Sequence, residues 1–394
     1  MKELPSLRRA NLRGKRVFIR VDYNVPIESG QITDDRRIRA SLPTLRYLIE
    51  QGATLILASH LGRPKDGQRD PKYSLHPVQH HLSQLLQKPV ELIGDPFTYK
   101  ELSPSSVYLM ENVRFFPGET KNAIEFARAL AQWAEAYVSD AFGSVHRAHA
   151  SVDALPRLMK EKYAGFLLEA EWNNAQRVLT QIEHPYLVVV GGAKVSDKLP
   201  LLQYLLPKLD RLLIGGGMSY TFLHAKGLPI GKSLLEREHV QAAQELLAQA
   251  DKMGKRVLLP SDSLAAKAFQ ADAEAAVYAH QAGVFPEDRM GLDIGPASIA
   301  AAKGFIQGSK TIFWNGPMGV FEWERFKQGT VEVGKAIAEE TARGAYSLVG
   351  GGDTAAAAEV AGVAEQVSFV STGGGALLEL LAGQTLPGIA ALMS

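Results

Sequence analysis

Arginine and histidine residues follow several short apolar runs in the first half of the sequence. The polar clusters are Asp22-Tyr23-Asn24, Ser59-His60-Leu61-Gly62-Arg63, Glu111-Asn112-Val113-Arg114 and His146-Arg147, and Arg37 adds a further arginine. The guanidinium group presents a rigid fork that matches the oxygens of a carboxylate or phosphate. Together these residues indicate a site for a small phosphorylated acid, although any one arginine alone is more typical of a surface or structural ion pair.

Glycine-rich turns mark the second half of the sequence. They are Gly191-Gly192-Ala193-Lys194 with Lys198 soon after, Gly215-Gly216-Gly217, Asn315-Gly316-Pro317, Gly350-Gly351-Gly352-Asp353-Thr354 and Ser371-Thr372-Gly373-Gly374-Gly375. Glycine lets backbone N–H groups approach phosphate oxygens, and a following helix presents its positive N-terminal end. The turns therefore indicate a nucleotide site, although a single one is equally typical of a tight strand–helix connection.

Asp353 is a candidate Mg²⁺ ligand, because magnesium in phosphoryl-transfer sites usually takes one or two carboxylates together with substrate phosphates. The alternative is that Asp353 is an ordinary helix N-cap. His146 and His149 have i, i+3 spacing, but without a nearby third ligand they do not match the usual zinc sets.

Two further motifs are set aside. The segment 227–233 resembles a Walker A loop, but it has three residues between its glycines instead of four and no strand directly before it. Gly350-x-Gly352-x-x-Ala355 fits a relaxed dinucleotide fingerprint, yet the strand that follows offers no acidic residue for the ribose. An NAD site is therefore disfavoured.

The elements that must position these residues alternate between runs rich in Val, Ile and Leu and amphipathic stretches, which predicts βαβ units and mostly parallel sheets. The predicted strands are 17–21, 54–59, 107–110, 137–139, 187–190, 212–214, 256–259, 277–279, 311–314, 346–349 and 368–370. Most of the clusters directly follow a strand, and the carboxyl ends of parallel strands form the ligand crevice of such sheets.

The chain has 394 residues, 46% apolar and 22% charged, which is ordinary globular usage. At roughly 150 residues per domain this length predicts two lobes. The segment 166–182 has apolar residues at helical spacing and little Gly or Pro. We therefore expect an N-terminal domain at 1–165, an interdomain helix at 166–182, a C-terminal domain at 183–379, and a segment at 380–394 that docks back on the N-terminal domain. The expected class is α/β, with two Rossmann-like lobes, each a mostly parallel sheet flanked by helices, facing across a cleft.

Charge and cysteine content narrow the function classes. The net charge is +1, which does not indicate a nucleic-acid or membrane surface. Residues 1–168 carry 24 Lys and Arg against 18 Asp and Glu, so an anionic ligand would favour this half. The sequence contains no Cys, which excludes disulfides and thiolate nucleophiles. Without an apolar leader, a long apolar run or a heptad pattern, we expect a cytoplasmic monomer that binds neither membrane nor nucleic acid.

Several motifs occur together in a fixed order over essentially the whole chain. They are Val21-Asp22-Tyr23-Asn24-Val25-Pro26, Ser59-His60-Leu61-Gly62-Arg63-Pro64, Glu111-Asn112-Val113-Arg114-Phe115, Asp140-Ala141-Phe142-Gly143, His146-Arg147-Ala148-His149, Gly191-Gly192-Ala193-Lys194-Val195, Trp314-Asn315-Gly316-Pro317 and Gly350-Gly351-Gly352-Asp353-Thr354. In this combination the sequence closely resembles the phosphoglycerate kinase family, and the whole set is far more specific than any single glycine turn.

The resemblance implies a role for each matching position. The residues implied for phosphoglycerate binding are Asp22, Asn24, Arg37, His60, Arg63, Arg114 and Arg147. Those implied for catalysis are Arg37, Lys194, Lys198, Gly351 and Gly374. Those implied for ATP or ADP are Gly192, Ala193, Lys198, Gly216, Gly217, Gly291, Leu292, Asn315, Pro317, Val320, Glu322, Gly351, Gly352, Asp353 and Thr354, with Glu322 as a ribose partner and Asp353 as the Mg²⁺ ligand.

The implied reaction is reversible, Mg²⁺-dependent transfer of a phosphoryl group from 1,3-bisphosphoglycerate to ADP, giving 3-phosphoglycerate and ATP. Because the two groups of residues fall on different predicted lobes, hinge closure is an expected step. Two other classes remain as alternatives. A nicotinamide-dependent dehydrogenase needs the ribose-binding acid that the sequence does not offer, and a nucleic-acid-binding protein needs a basic stripe interleaved with aromatics.

Overall fold

The computed structural model describes residues 3–65 and 67–394, and these divide into two compact units. Unit 1 takes in the described residues up to Asn173 together with Thr385–Ser394, and unit 2 is Asn174–Gln384. Each unit is built on a six-stranded sheet in which every strand pairing is parallel. The predicted α/β class with two mostly parallel sheets is confirmed.

Unit 1 has the strand order β5-β6-β4-β1-β7-β8 in its main sheet, and β2 and β3 form a small antiparallel ribbon. Its strands are β1 (Arg16–Val21), β2 (Ile27–Glu28), β3 (Gln31–Ile32), β4 (Thr54–Ala58), β5 (Val90–Ile93), β6 (Val107–Met110), β7 (Ala136–Asp140) and β8 (Glu161–Ala164). Its helices are α1 (Arg36–Glu50), α2 (His76–Leu86), α3 (Pro117–Thr120), α4 (Ile124–Ala131), α5 (Leu155–Leu158) and α6 (Phe166–Leu179), which crosses into unit 2.

Unit 2 has the strand order β11-β10-β9-β15-β16-β17, and a separate antiparallel sheet has the order β13-β12-β14. Its strands are β9 (Tyr186–Val190), β10 (Arg211–Ile214), β11 (Arg256–Leu258), β12 (Asp262–Ala266), β13 (Ala275–Ala279), β14 (Met290–Ile294), β15 (Thr311–Asn315), β16 (Tyr346–Val349) and β17 (Phe369–Val370). Its helices are α7 (Leu199–Leu205), α8 (Ser219–Ala225), α9 (Val240–Lys252), α10 (Pro296–Ile306), α11 (Gln328–Ala342), α12 (Gly352–Val360) and α13 (Gly375–Leu381).

The central strands are continuous apolar runs because helices cover both faces of a parallel sheet. All five residues of β4 and of β9 are buried, and so are all five of β15. Each sheet packs into its own apolar cluster, so each unit has a core of its own. The strands are therefore fixed firmly enough to position the loops at their carboxyl ends.

The final helix, α14 (Pro387–Met393), belongs to unit 1, where it packs against α5 and β8. Its first turn lies close to the π-helical turn Ala150–Ala154, since a Cβ on Gly388 would lie 2.8 Å from Val152 Cγ1. Within the described part of the chain, no helix combines the length and the apolar character needed to cross a membrane.

Every predicted strand coincides with an observed one, but the prediction was incomplete. It missed the short edge strands β5 and β8, the ribbon β2–β3, and the strands β12 and β14. The predicted strand 277–279 belongs to β13, which pairs antiparallel with β12 and lies outside the main sheet. The predicted helix 166–182 begins at Phe166 as expected but ends at Leu179. The chain turns at Thr180, ahead of Pro185, a residue type that does not continue a helix.

Candidate functional site

Four adjacent parallel strands of unit 1 bring the predicted acid-binding residues to one edge of the sheet. The order β6-β4-β1-β7 places their carboxyl ends side by side. The residues that follow them are Asp22 after β1, His60 after β4, Arg114 after β6 and Arg147 after β7. Residues far apart in sequence thus meet because the strands that precede them are neighbours.

A cavity of about 310 Å³ in unit 1 is lined by three of the predicted arginines. Its lining residues are Arg63, Pro64, Arg114, Thr120, Arg147 and His149. Arg114 Nη1 donates to the carbonyl oxygen of Gly62 at 2.7 Å, which fixes the direction of its guanidinium group. The Arg114 Nε atom is buried without a hydrogen-bond partner among the described residues. This cavity can therefore bind an anion through several charged N–H donors.

Burial, together with the charge of the arginine cluster, favours the neutral form of two histidines. Burial, reinforced by Arg20 and then by three further arginines, holds the pKa of His60 well below its usual value. Burial, with smaller effects of Arg114, Arg20 and Arg147, lowers the pKa of His149 to about 4. Burial also lowers the pKa of Arg114 to about 10, with Arg20 the next cause. A bound anion would offset this repulsion, so the site is electrostatically suited to a phosphate or carboxylate.

Asp22, Asn24 and Arg37 form a hydrogen-bonded group beside the cluster. Arg37 Nη1 donates to Asp22 Oδ2 at 3.0 Å, and the Asp22 side chain is buried whereas that of Arg37 is 38% exposed. The backbone N–H of Asn24 donates to Asp22 Oδ1 at 3.2 Å, and the side-chain Oδ1 of Asn24 accepts from the backbone N–H of Gly62 at 2.8 Å. These bonds connect the loop after β1 with the loop after β4.

Unit 2 has its topological switch point between β9 and β15. From β9 the chain continues to β10 and β11 on one side, whereas from β15 it continues to β16 and β17 on the other. Ligands of open parallel sheets bind where the strand order reverses in this way. The turns that follow these two strands begin at Gly191 and at Gly316, which are two of the predicted phosphate-binding turns.

A cavity of about 350 Å³ lies among these turns. The predicted residues that line it are Gly192, Ala193, Lys194, Lys198, Asn315, Pro317, Gly351, Gly352, Asp353, Thr354 and Gly374. Lys198 Nζ donates to Asn315 Oδ1, and Asn315 Nδ2 donates to the Gly350 carbonyl oxygen at 2.5 Å. Burial lowers the pKa of Lys198, whereas Asp197 and Asp353 act in the opposite direction.

The backbone conformation of the glycine turns in unit 2 depends on glycine at two points. Gly351 has φ +98°, and a Cβ at this position would lie 2.7 Å from Asn315 Nδ2. Gly216 has φ +64°, and a Cβ there would lie 2.5 Å from the Gly192 nitrogen. The Gly215-Gly216-Gly217 turn therefore packs directly against the backbone of the Gly191-Gly192 turn.

A second cavity of about 630 Å³ adjoins the first and shares Gly192, Ala193, Pro317 and Asp353 with it. The other predicted residues that line it are Gly216, Gly217, Gly291, Leu292, Val320 and Glu322. Tyr220, Leu234, Phe269, Met318 and Phe321 also line it and were not predicted. The mixture of apolar side chains and glycine backbone suits a nucleoside, while the glycine turns of the first cavity suit its phosphates.

Asp353 fits the requirements of a Mg²⁺ ligand. It lies exposed in the first turn of α12 and lines both cavities. Residues 3–65 and 67–394 contain no cluster of three or more His, Cys, Asp or Glu side chains able to hold a metal by themselves. Such a donor set suits Mg²⁺ that arrives with a nucleotide, because this ion takes few protein carboxylates and completes its shell with phosphate oxygens and water.

The sequence analysis missed residues that form hydrogen bonds to the predicted site residues or to their neighbours in sequence. Glu236 accepts hydrogen bonds from the Val195 amide, from the Ser196 amide at 3.3 Å and from the Ser196 hydroxyl at 2.7 Å, directly after Lys194. Nothing in the sequence near Glu236 signals this contact. Arg20 gives a clearer signal, since it is a charged residue inside the apolar strand 17–21, and its Nη2 lies 3.2 Å from His60 Nδ1.

Comparison with known proteins agrees with this geometry. A family model described as phosphoglycerate kinase matches residues 7–384. A phosphoglycerate kinase of Thermosynechococcus vestitus is 48% identical over 99% of this chain and 98% of that protein, and a cytosolic phosphoglycerate kinase of Triticum aestivum is 46% identical over 98% and 97%. A solved structure of phosphoglycerate kinase from Coxiella burnetii, 42% identical, covers 99% of each chain with a TM-score of 0.93. The chain therefore belongs to the phosphoglycerate kinase family and is a phosphotransferase.

Proposed function

We propose that this chain transfers a phosphoryl group reversibly between the acyl phosphate of 1,3-bisphosphoglycerate and ADP, and that unit 1 binds the acid while unit 2 binds the nucleotide. The observation that carries this division is that the predicted acid-binding arginines and the predicted nucleotide-binding glycines line cavities in different units. Membership of the phosphoglycerate kinase family supports the reaction itself.

The acid site is supported by the donors that converge in unit 1. Arg63, Arg114 and Arg147 offer forked, charged donors to a phosphate, and Arg37 exchanges its ion pair with Asp22 for the substrate. Because the histidines there are neutral, the positive charge of the site is carried by arginine.

The nucleotide site is supported by the two adjoining cavities of unit 2. The phosphates lie against the turns at Gly192 and Gly351, where α12 begins, and the base lies in the larger cavity. Asp353 would hold the Mg²⁺ that accompanies the nucleotide, and that ion supplies positive charge to the phosphate oxygens when it is bound. Glu322 is our candidate for the ribose hydroxyls.

In the ATP-consuming direction the nucleophile is a carboxylate oxygen of 3-phosphoglycerate, which is ionised at pH 7 because its pKa lies near 4. Its bond to the γ-phosphorus forms as the bond to the β,γ-bridging oxygen breaks, and ADP leaves with that electron pair. No proton moves, so the site needs no general base. Arg37, Lys194 and Lys198 stabilise the charge on the equatorial oxygens. The amide groups of Gly351 and Gly374 contribute further donors.

Transfer requires the attacking oxygen and the γ-phosphorus to come within about 3–3.5 Å of each other. Since we assign the two substrates to different units, we propose a closing step in which the units bring them together. Solution X-ray scattering with both substrates is expected to differ from the profiles with either one alone, and identical profiles would contradict this step.

The decisive experiment is a coupled assay with 3-phosphoglycerate, ATP and Mg²⁺ on the full chain. We expect ADP to form only when all three are present, and we expect glycerate, which lacks the phosphate, to be a far poorer substrate because it leaves the arginine cavity empty. Lack of turnover with 3-phosphoglycerate, or hydride transfer between a nicotinamide cofactor and a 2-hydroxy acid, would reject the proposal.

We also propose that the enzyme acts as a monomer in the cytoplasm. Each unit has its own core, and each candidate cavity is lined by residues of a single unit of one chain. Light scattering after size-exclusion chromatography should give the mass of one chain, and a stable dimer mass would contradict the monomer. Cell fractionation tests the compartment.

A further inference from the structure

Unit 1 contains a chain of buried polar groups that ends on His60. Arg20, in the interior of β1, is 1% exposed, and Glu119, in α3, is fully buried. Placing a guanidinium and a carboxylate out of contact with water costs free energy unless both are hydrogen-bonded. Here a single side chain, Ser151, lies between them and contacts both.

The direction of these hydrogen bonds is fixed by their chemistry. Ser151 Oγ donates to Glu119 Oε1 at 2.6 Å, and the Ser151 amide donates to Glu119 Oε2 at 2.9 Å. The hydroxyl has one hydrogen, so its oxygen acts as the acceptor for Arg20 Nε, which lies 2.7 Å away. Ser151 belongs to a π-helical turn, Ala150–Ala154, that presents its amide and hydroxyl to the same carboxylate.

The other end of the Arg20 guanidinium sets the state of His60. Arg20 Nη2 lies 3.2 Å from His60 Nδ1. A guanidinium group has only donors, so Nδ1 must be the acceptor, and the proton of the neutral ring then resides on Nε2. Burial and the surrounding arginines keep the ring neutral, as their effect on the pKa of His60 shows.

We propose that Glu119, Ser151 and Arg20 act as positioning residues that hold His60 in its Nε2-protonated form, so that the ring can only donate a hydrogen bond to an oxygen of the acidic substrate. This inference rests on the proposed function for the identity of that substrate. The opposite tautomer would turn a lone pair toward a carboxylate or phosphate oxygen and repel it. The chain of hydrogen bonds thus determines whether His60 assists or opposes binding.

The first test reads the tautomer directly in the full chain without substrate. In ¹⁵N-histidine-labelled protein, the His60 ring is expected to show the Nε2–H pattern of ring nitrogen shifts at pH 7, and its signals are assigned by their loss in His60→Gln. The Nδ1–H tautomer, or a doubly protonated ring at pH 7, would overturn the inference. Because no substrate is present, this result does not depend on whether the proposed reaction is correct.

The second test removes the connecting hydroxyl with Ser151→Ala. The matched control is Ser144→Ala, since Ser144 is a buried serine of the same unit whose Oγ has no hydrogen-bond partner among the described residues. We expect Ser151→Ala to change the His60 ring shifts toward a tautomer mixture and to raise KM for 3-phosphoglycerate roughly tenfold, as expected for one hydrogen bond. KM for ATP should change less than about twofold in the same variant, which corresponds to a small difference in binding free energy.

Glu119→Gln provides a second variant if Ser151→Ala folds poorly, because it keeps the shape of the side chain and removes the charge. Circular dichroism and thermal melting establish that each variant is folded. Unchanged ring nitrogen shifts of His60 and an unchanged KM for 3-phosphoglycerate in a folded variant would reject the positioning role of this chain of hydrogen bonds. Loss of affinity for both substrates alike would also reject it, since that pattern indicates a general structural effect. Failure of the wild type to use 3-phosphoglycerate would instead count against the proposed function alone.

Discussion

At the scale of single residues, the proposed acid site contains an ion pair that we expect the substrate to replace. Arg37 bonds to the buried Asp22, yet 38% of its side chain remains exposed. An arginine in this position keeps a hydrogen-bond partner before substrate arrives, and its charge is available once an anion competes for it. This arrangement explains how a predicted catalytic arginine can also be part of an ion pair.

Replacing Arg37 with Ala is expected to lower kcat by about 10²- to 10³-fold, because losing one charged donor from a transition state costs about 3–4 kcal/mol. Steady-state kinetics measure this change, and calorimetry should find ATP affinity within about twofold of wild type, a difference of less than 1 kcal/mol. Arg46→Ala is the matched control, since Arg46 lies exposed on the same helix, α1. Equal activities for the two variants would remove Arg37 from its proposed role.

A second residue-scale effect concerns Asp140, the last residue of β7, whose carboxylate contacts the first turn of α6. Its Oδ1 accepts from the amides of Leu167 at 2.9 Å and Leu168 at 3.3 Å, whereas its buried Oδ2 has no hydrogen-bond partner among the described residues. Burial raises the pKa of this carboxyl to about 7. The folded protein therefore keeps a proton that the unfolded chain releases above a pKa of about 4.

It follows that Asp140 lowers the free energy of unfolding as pH rises from about 4 to about 7, by at most about 1.4 kcal/mol per pH unit. Asp140→Asn should remove this decline, so the free energy of unfolding of the variant should rise relative to that of wild type across this pH range. Urea unfolding followed by tryptophan fluorescence measures the difference. Asp34→Asn serves as the control of opposite sign, because the hydrogen bond to Arg36 lowers the pKa of Asp34. A constant difference between Asp140→Asn and wild type at all pH values would contradict the prediction.

At the scale of elements, the positions of most strands and turns along the chain could be predicted from the sequence. The side-chain contacts between segments distant in sequence could not. The buried parallel strands were predicted because their apolar runs are continuous, and the site turns followed from their positions after those runs. The strand β12, Asp262–Ala266, escaped notice because its buried Asp262 and Ser263 do not resemble an apolar run. The Asp262 carboxylate instead accepts from the amides of Ala297 and Ser298 at the start of α10.

The turn between β9 and α7 illustrates the same limit. Its glycines and Lys194 were predicted as a phosphate site, but Glu236, which fixes its conformation, is 40 residues away from Ser196 in sequence. Side-chain contacts over such separations depend on how α8 and the following loop fold back, and no local pattern encodes them. The pKa of Glu236 is lowered by its hydrogen bonds to Ser196 and Val195, although burial acts in the opposite direction.

We expect Glu236→Gln to loosen this turn, because an amide NH₂ would face a donor where the carboxylate now accepts. KM for ATP should rise roughly tenfold, the effect of about one hydrogen bond, with KM for 3-phosphoglycerate unchanged. Hydrogen exchange of the Val195 and Ser196 amides should become faster. Glu245→Gln is the control, since Glu245 is exposed on α9 and its Oε1 accepts a hydrogen bond from Gln241 Nε2 on the same helix. A variant with normal ATP kinetics and unchanged exchange would show that Glu236 does not position the turn.

At the scale of the whole molecule, the two halves of the chain differ in net charge, just as the two units have separate cores. Residues 1–168 carry six more basic than acidic side chains, whereas the remaining residues carry 24 Asp and Glu against 19 Lys and Arg. A net negative half can still bind a nucleotide if the local donors are backbone N–H groups, helix N-termini and a few lysines at the switch point. The overall charge therefore supports our assignment of the acid to unit 1, and we expect local geometry to determine nucleotide binding in unit 2.

Hydrogen exchange with each substrate separately tests this division on the full chain. With 3-phosphoglycerate we expect slower exchange in the loops that follow β1, β4, β6 and β7, because ordered substrate contacts suppress their local opening. With MgADP we expect protection of the turns after β9, β10, β15 and β16, and little change in unit 1. The amides of α9, which borders none of the three candidate cavities that we assign to substrates, provide an internal reference. If 3-phosphoglycerate alone protected the glycine turns of unit 2, the assignment of the two substrates to the two units would be wrong, even if the enzyme were fully active.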